Sequence, residues 1–222
     1  MDGRMTIRNP ESYEQDESLD LLSALKRFAR PAAATERCEL CGLALEAEHA
    51  HLLQKQSRRI TCSCDACAIL FCGQEGGHYL RIPRRVRALA DFSLSDLEWE
   101  ELALPIHLAF FFYNEDGRLA AMYPSPAGAI ESQLSLESLQ ARFHGHSDLR
   151  ALPPLVQALL VNRVGDHHTY LVAPIDECFK LVGLIRTRWR GLSGGTEVWG
   201  AIAEFLRELQ QRAARVVKER HA

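Results

Sequence analysis

Two Cys-x-x-Cys pairs, Cys38/Cys41 and Cys64/Cys67, are the residues of this chain best placed to do chemistry, with 22 residues between them. Two residues between thiols let one tight turn present both sulfurs to the same ion. Gly42, directly after the first pair, lets backbone N–H groups turn toward sulfur. Two such pairs supply the four thiolates of a closed tetrahedral site, for which zinc is the expected cofactor. The chain has seven cysteines, and six of them (Cys38, Cys41, Cys62, Cys64, Cys67, Cys72) fall within 35 residues, leaving Cys178 outside. An odd, clustered set reads as a metal site in a reducing compartment rather than as a disulfide framework.

Secondary ligand candidates surround the pairs. His49 and His51 alternate in EHAH, and each reads first as a solvated or hydrogen-bonded strand residue. Cys62 and Cys72 read first as small buried apolar side chains. Their functional alternatives are exchange into the ligand set, a second metal, or an iron–sulfur cluster using Cys62, Cys64 and Cys67. Arg58-Arg59-Ile60-Thr61 reads as a strand entering the second pair, and Ala68-Ile69-Leu70-Phe71 as the apolar start of a helix leaving it. A knuckle, a hairpin and a second pair at a helix start make a treble-clef-like module. Nucleases of the His-Asn-His type also use such modules, with His49 or His51 in the position of a general base. The residues after Cys64 lack the required Asn and a well-placed second His, so nuclease chemistry is not expected.

The elements that must position these groups follow from periodicity. Residues 1–17 read as a mobile tail, and 18–36 as a helix capped by Ser18 and a linker. The cysteine-rich module spans 37–77, and an α+β domain spans 78–222. Within that domain Tyr79, Leu80 and Ile82 suggest a short strand, and Ser95 with Glu98 forms a capping box. IHLAFFFYN and RLAAMYPSP pair across Asp116-Gly117, and ALLVNRV and HTYLVAP pair across Gly165-Asp166. Tyr123 to Gly128 (YPSPAG) reads as a rigid loop. Helices are expected over 134–143, over IDECFKLVGLIRTRW, with Cys178, Leu181, Val182 and Ile185 on one stripe, and over 196–218.

No catalytic constellation emerges, so the chain reads as non-enzymatic. GLSGG (191–195) before a helix is reminiscent of an anion cradle but reads as a turn. Arg186, Arg188 and Arg190 around Trp189 read as a solvated face. His144, His146, His167 and His168 read as surface imidazoles. With 26 basic and 29 acidic residues the net charge is −3, which excludes a chain-wide nucleic-acid surface. Nucleic-acid binding through Arg58-Arg59 and Arg84-Arg85-Val86-Arg87 is therefore a minor alternative. No apolar run approaches a membrane span and the N-terminus has no apolar signal segment, so a cytoplasmic location is expected.

The motifs CELCG, EHAHLL, CSCDACAILF, AFFFYN, YPSPAG, LLVNR and PIDECFKLVGLIRTRWRGLSGGTEVW resemble an uncharacterised bacterial family. Its members are encoded beside high-affinity, actinobacterial-type nickel–iron uptake hydrogenases and their maturation proteins. The resemblance spans about residues 36–210. It implies a zinc-binding accessory or adaptor protein whose partners are hydrogenase subunits or maturation proteins, and it marks LVGLIRTRWRGLSGG as a functional surface. It brings no catalytic residues. The rival expectation is a redox or iron–sulfur carrier using the surplus cysteines.

Overall fold

A computed structural model of the protein describes residues 36–73, 76–165, 168–191 and 194–219, with side chains through residue 214. The expected N-terminal tail and helix, Leu192, Ser193 and His167 lie outside the described residues. The elements described below all belong to one unit, Arg37–Ala222. They form an α+β arrangement of antiparallel sheets and helices.

The first sheet is small. Strands β1 (Ala50–Gln54) and β2 (Arg59–Ser63) form a hairpin, and β3 (Tyr79–Arg81) pairs with the other edge of β1. Helix α1 (Asp65–Phe71) leaves β2 directly after Cys64. Because side chains alternate along a strand, β1 buries two different faces. Ala50 and Leu52 pack against Ala68 of α1, while Leu53 joins Ile82 in the main core.

The second sheet has six strands, in the order β4-β9-β8-β5-β6-β7. They are β4 (Arg87–Ala88), β5 (Leu108–Tyr113), β6 (Leu119–Ser125), β7 (Gly128–Glu131), β8 (Gln157–Asn162) and β9 (Thr169–Pro174). Both predicted hairpins are present, with Phe111 opposite Ala121 and Leu160 opposite Leu171. The YPSPAG segment is a correction: Tyr123, Pro124 and Ser125 continue β6 and turn tightly into β7. Proline is tolerated there because Pro124 lies beyond the β5 pairing, which ends at Met122, so its missing N–H interrupts no second ladder.

Helices cover both faces of this sheet. On one face Phe110, Phe112, Leu160 and Leu171 meet Cys178, Leu181 and Ile185 of α5 (Ile175–Arg188). Val198, Ile202 and Leu206 of α6 (Gly195–Glu219) complete that layer. On the opposite face Phe111, Leu159 and Val172 meet Trp99 of α2 (Asp96–Glu101), Phe143 of α3 (Glu137–Gly145) and Leu149 of α4 (Ser147–Arg150). Burial on both faces explains why LAFFFY carries apolar residues at consecutive positions instead of alternating with polar ones.

Local chemistry closes the ends. Ser95 N–H donates to Glu98 Oε2 at 2.7 Å and Glu98 N–H donates to Ser95 Oγ at 3.3 Å, completing the capping box. The Ser95 N–H and the Ser95 hydroxyl, which also donates to Glu98 Oε2, together with Arg142 hold the Glu98 carboxyl down at about 2. Arg163 at the end of β8 is buried, yet its guanidinium donates to Leu94 O at 2.6 Å, pairs with Asp96 and lies over the Trp99 ring. Between α5 and α6, Gly194 has φ +84°, and a Cβ there would stand 2.8 Å from Val198 Cγ1.

Candidate metal centre

The first turn is built by the backbone. Gly42 N–H donates to Cys38 O at 2.8 Å, Cys38 N–H donates to Leu43 O at 2.8 Å, and Gly42 takes φ +78°. The second pair sits at a helix start. Cys64 is the N-cap of α1, and its sulfur accepts from Cys67 N–H at 3.4 Å. One turn therefore aims two sulfurs, and one helix terminus aims the other two.

The structure brings all four together. Cys38, Cys41, Cys64 and Cys67 place their Sγ atoms within 4.8 Å of one another. Cys41 Sγ and Cys64 Sγ are 3.7 Å apart. A tetrahedral thiolate site with bonds of about 2.3 Å has sulfur–sulfur edges of about 3.8 Å. All seven cysteines are free, and 3.7 Å is far beyond a disulfide bond of about 2.05 Å. Cys38, Cys64 and Cys67 are buried, and Cys41 is exposed. The donor set and its spacing can hold a metal ion.

The thiols differ before any ion is added. Burial opposes ionisation of Cys38, but N–H groups of Cys64, Leu40 and Cys41 outweigh it and bring its pKa down to about 6. Burial and the neighbouring sulfurs push Cys67 up to about 12. A divalent ion among four sulfurs reverses that repulsion, because the ligating species is the thiolate.

The secondary candidates fall elsewhere. His49, His51 and Cys62 gather as a separate group. Cys62 is half-buried rather than sealed in apolar packing, and it stands opposite His51 in the β1–β2 register. His51 Nδ1 donates to Asp176 Oδ2 at 2.7 Å, a contact from β1 to the start of α5. Burial opposes the charge on Asp176, but His51 and Lys180 outweigh it and hold its carboxyl below the usual range. Cys72 packs beside Ala50, Leu52 and Ala68, and burial raises its pKa. Cys178 is fully buried in the main core, and burial pushes its thiol well up.

Asp176 was not among the expected site residues. Its sequence signal is slight: an acid in the first turn of a helix is common because it suits the helix dipole. The basic clusters are partly neutralised. Arg59 pairs with Glu39, Arg87 with Asp148 at 2.7 Å, and Arg84 with Asp65 at 3.9 Å. His144 is exposed and stacks on Tyr113, whereas His146 is half-buried and packs edge-on against Phe92. Arg186, Arg188 and Arg190 are exposed around a half-buried Trp189. Among the described residues no helix is long and apolar enough to cross a membrane.

No curated protein and no solved structure matches the chain. A family model does: residues 37–213, which take in both cysteine pairs and both sheets, match DUF5947, a family of unknown function, and the chain belongs to it.

Proposed function

We propose that Cys38, Cys41, Cys64 and Cys67 bind one zinc ion as a structural clamp. On this reading the protein is a non-enzymatic accessory or adaptor that offers a rigid surface to a protein partner. The observation that carries it is the convergence of four sulfurs, from a turn and a helix start, to within 4.8 Å of one another. A four-thiolate shell leaves no coordination position for substrate, which suits a structural ion. Leu43 beside the first pair is 58% exposed and Ile69 beside the second is 70% exposed, so apolar surface flanks the clamp. The resemblance described above points to hydrogenase subunits or maturation proteins as the partners.

Metal analysis and affinity capture test the reading together. The protein purified without oxygen should be colourless, with one zinc lost in Cys38→Ser/Cys41→Ser. It should also capture a hydrogenase subunit or maturation protein from cells expressing them. Iron and visible absorption would replace the clamp with an iron–sulfur carrier. Normal hydrogenase activity in a deletion strain, with no capture, would remove the adaptor role.

A further inference from the structure

We propose that His49, His51 and Cys62 form a second metal site, distinct from the four-thiol cluster, for a borderline divalent transition ion such as zinc. Its fourth position would be open to a water molecule.

The backbone register assembles the donors. His51 and Cys62 are direct partners in the β1–β2 ladder, so both side chains lie on the same face. His49 precedes His51 by two residues, which is the period that returns to that face. The ligating atoms, one ring nitrogen from each histidine and the Cys62 sulfur, lie within 4.8 Å of one another.

Each histidine also has the support that metal-ligating imidazoles use. His51 Nδ1 is held by Asp176 Oδ2 at 2.7 Å, and His49 Nδ1 by Glu46 O at 2.8 Å. With its proton kept on Nδ1, each ring directs the Nε2 lone pair to an ion. A carboxylate or carbonyl behind the ring fixes tautomer and orientation and raises ligand basicity. Cys62 is anchored as well: its N–H donates to Glu39 Oε1 at 2.9 Å, and its carbonyl accepts from Glu39 N–H at 3.0 Å.

Two imidazoles and one thiolate make three protein ligands, the number found at zinc sites that keep an open position. The histidines line a cleft of about 370 Å³ whose walls carry three cations, Arg84, Lys180 and Arg212, and three carboxylates, Glu48, Asp176 and Glu177. That balance of charge suits a neutral water molecule at the open position. Glu177 pairs with Lys180 at 3.3 Å and with Arg212 at 2.8 Å, which keeps the two cations positioned along the wall.

Metal stoichiometry of the full chain tests the assignment, with zinc or cobalt(II) as the probe. The wild type should hold two equivalents. His49→Ala/His51→Ala should hold one, with the cobalt absorption of a four-thiolate site intact. Cys62→Ser should do the same, and its small change guards against a folding defect, checked by circular dichroism. Two equivalents retained in both variants would overturn the second site. So would one equivalent in the wild type that Cys38→Ser/Cys41→Ser removes and His49→Ala/His51→Ala keeps. A single equivalent lost only in the histidine variant would support this site and remove the four-thiol clamp instead.

Discussion

The four-thiol cluster and the His49–His51–Cys62 group are neighbours in sequence but are assembled by different means. Turns make the first. Gly42 and the N-cap of α1 each aim two sulfurs from a few residues of local backbone. Strand pairing makes the second, since only the β1–β2 register sets Cys62 opposite His51. Their surroundings differ too: three of the four thiols are buried, whereas the mixed group borders a charged cleft. Local turns suit a closed, structural ion, and a sheet face beside a cleft suits an open one.

The largest test of that contrast is removal of the ion proposed for the four-thiol cluster. Structural zinc in a small module contributes about 10–16 kcal/mol of binding free energy to folding. Cys64→Ser, or chelation, should raise amide hydrogen exchange across residues 37–81 while the six-stranded sheet stays protected. Unchanged exchange in 37–81 would show that the packing of Leu53 and Ile82 holds the small sheet without the ion.

A core truncation should do the reverse. Phe111 is fully buried on the sheet face opposite Leu53 and Ile82. Phe111→Ala should cost about 3–5 kcal/mol of global stability by denaturant unfolding. Metal stoichiometry under native conditions should stay as in the wild type, and a lost ion would mean that the two regions fold as one cooperative unit.

Asp176→Asn sharpens the comparison at one atom. It keeps the shape behind His51 but removes the charge. Affinity for the second ion should fall about 10–100-fold, by competition with a chelator, with affinity for the first unchanged. Equal loss at both sites would merge them.

The smallest effect is a pH-dependent control remote from either cluster. The Glu98 carboxyl is lowered from 4.5 to about 2, so its stabilising contribution is complete above pH 4.5 and fades as pH falls toward 2. The stability difference between wild type and Glu98→Ala should therefore shrink over that interval, measured by thermal unfolding. A constant difference would place the role of Glu98 in its packing instead of its charge.

Much of the fold was legible because its signals are local. The capping box at Ser95 and Glu98, both hairpins and the Cys178–Ile185 stripe each need only neighbours a few residues away. The hidden parts depend on distant partners. Strand β4 is two residues long and exists through pairing of Arg87 with Val172. The two prolines of YPSPAG suggest a loop, and only the end of the β5 ladder shows why a strand can continue there. Arg163 looks like a surface residue until Leu94, Ser95 and Asp96 are folded around it.

Spacing along the chain determined how each Cys-x-x-Cys pair aims its two sulfurs, because two residues between cysteines fit a single turn whatever surrounds it. The β1–β2 hairpin between the pairs then brings them together. Tertiary structure alone decided that His49, His51 and Cys62 share a face, and that Asp176, 125 residues beyond His51, stands behind one ring. A tight turn stores its geometry in adjacent dihedral angles. Strand register and helix docking are set by packing between segments that no short spacing connects.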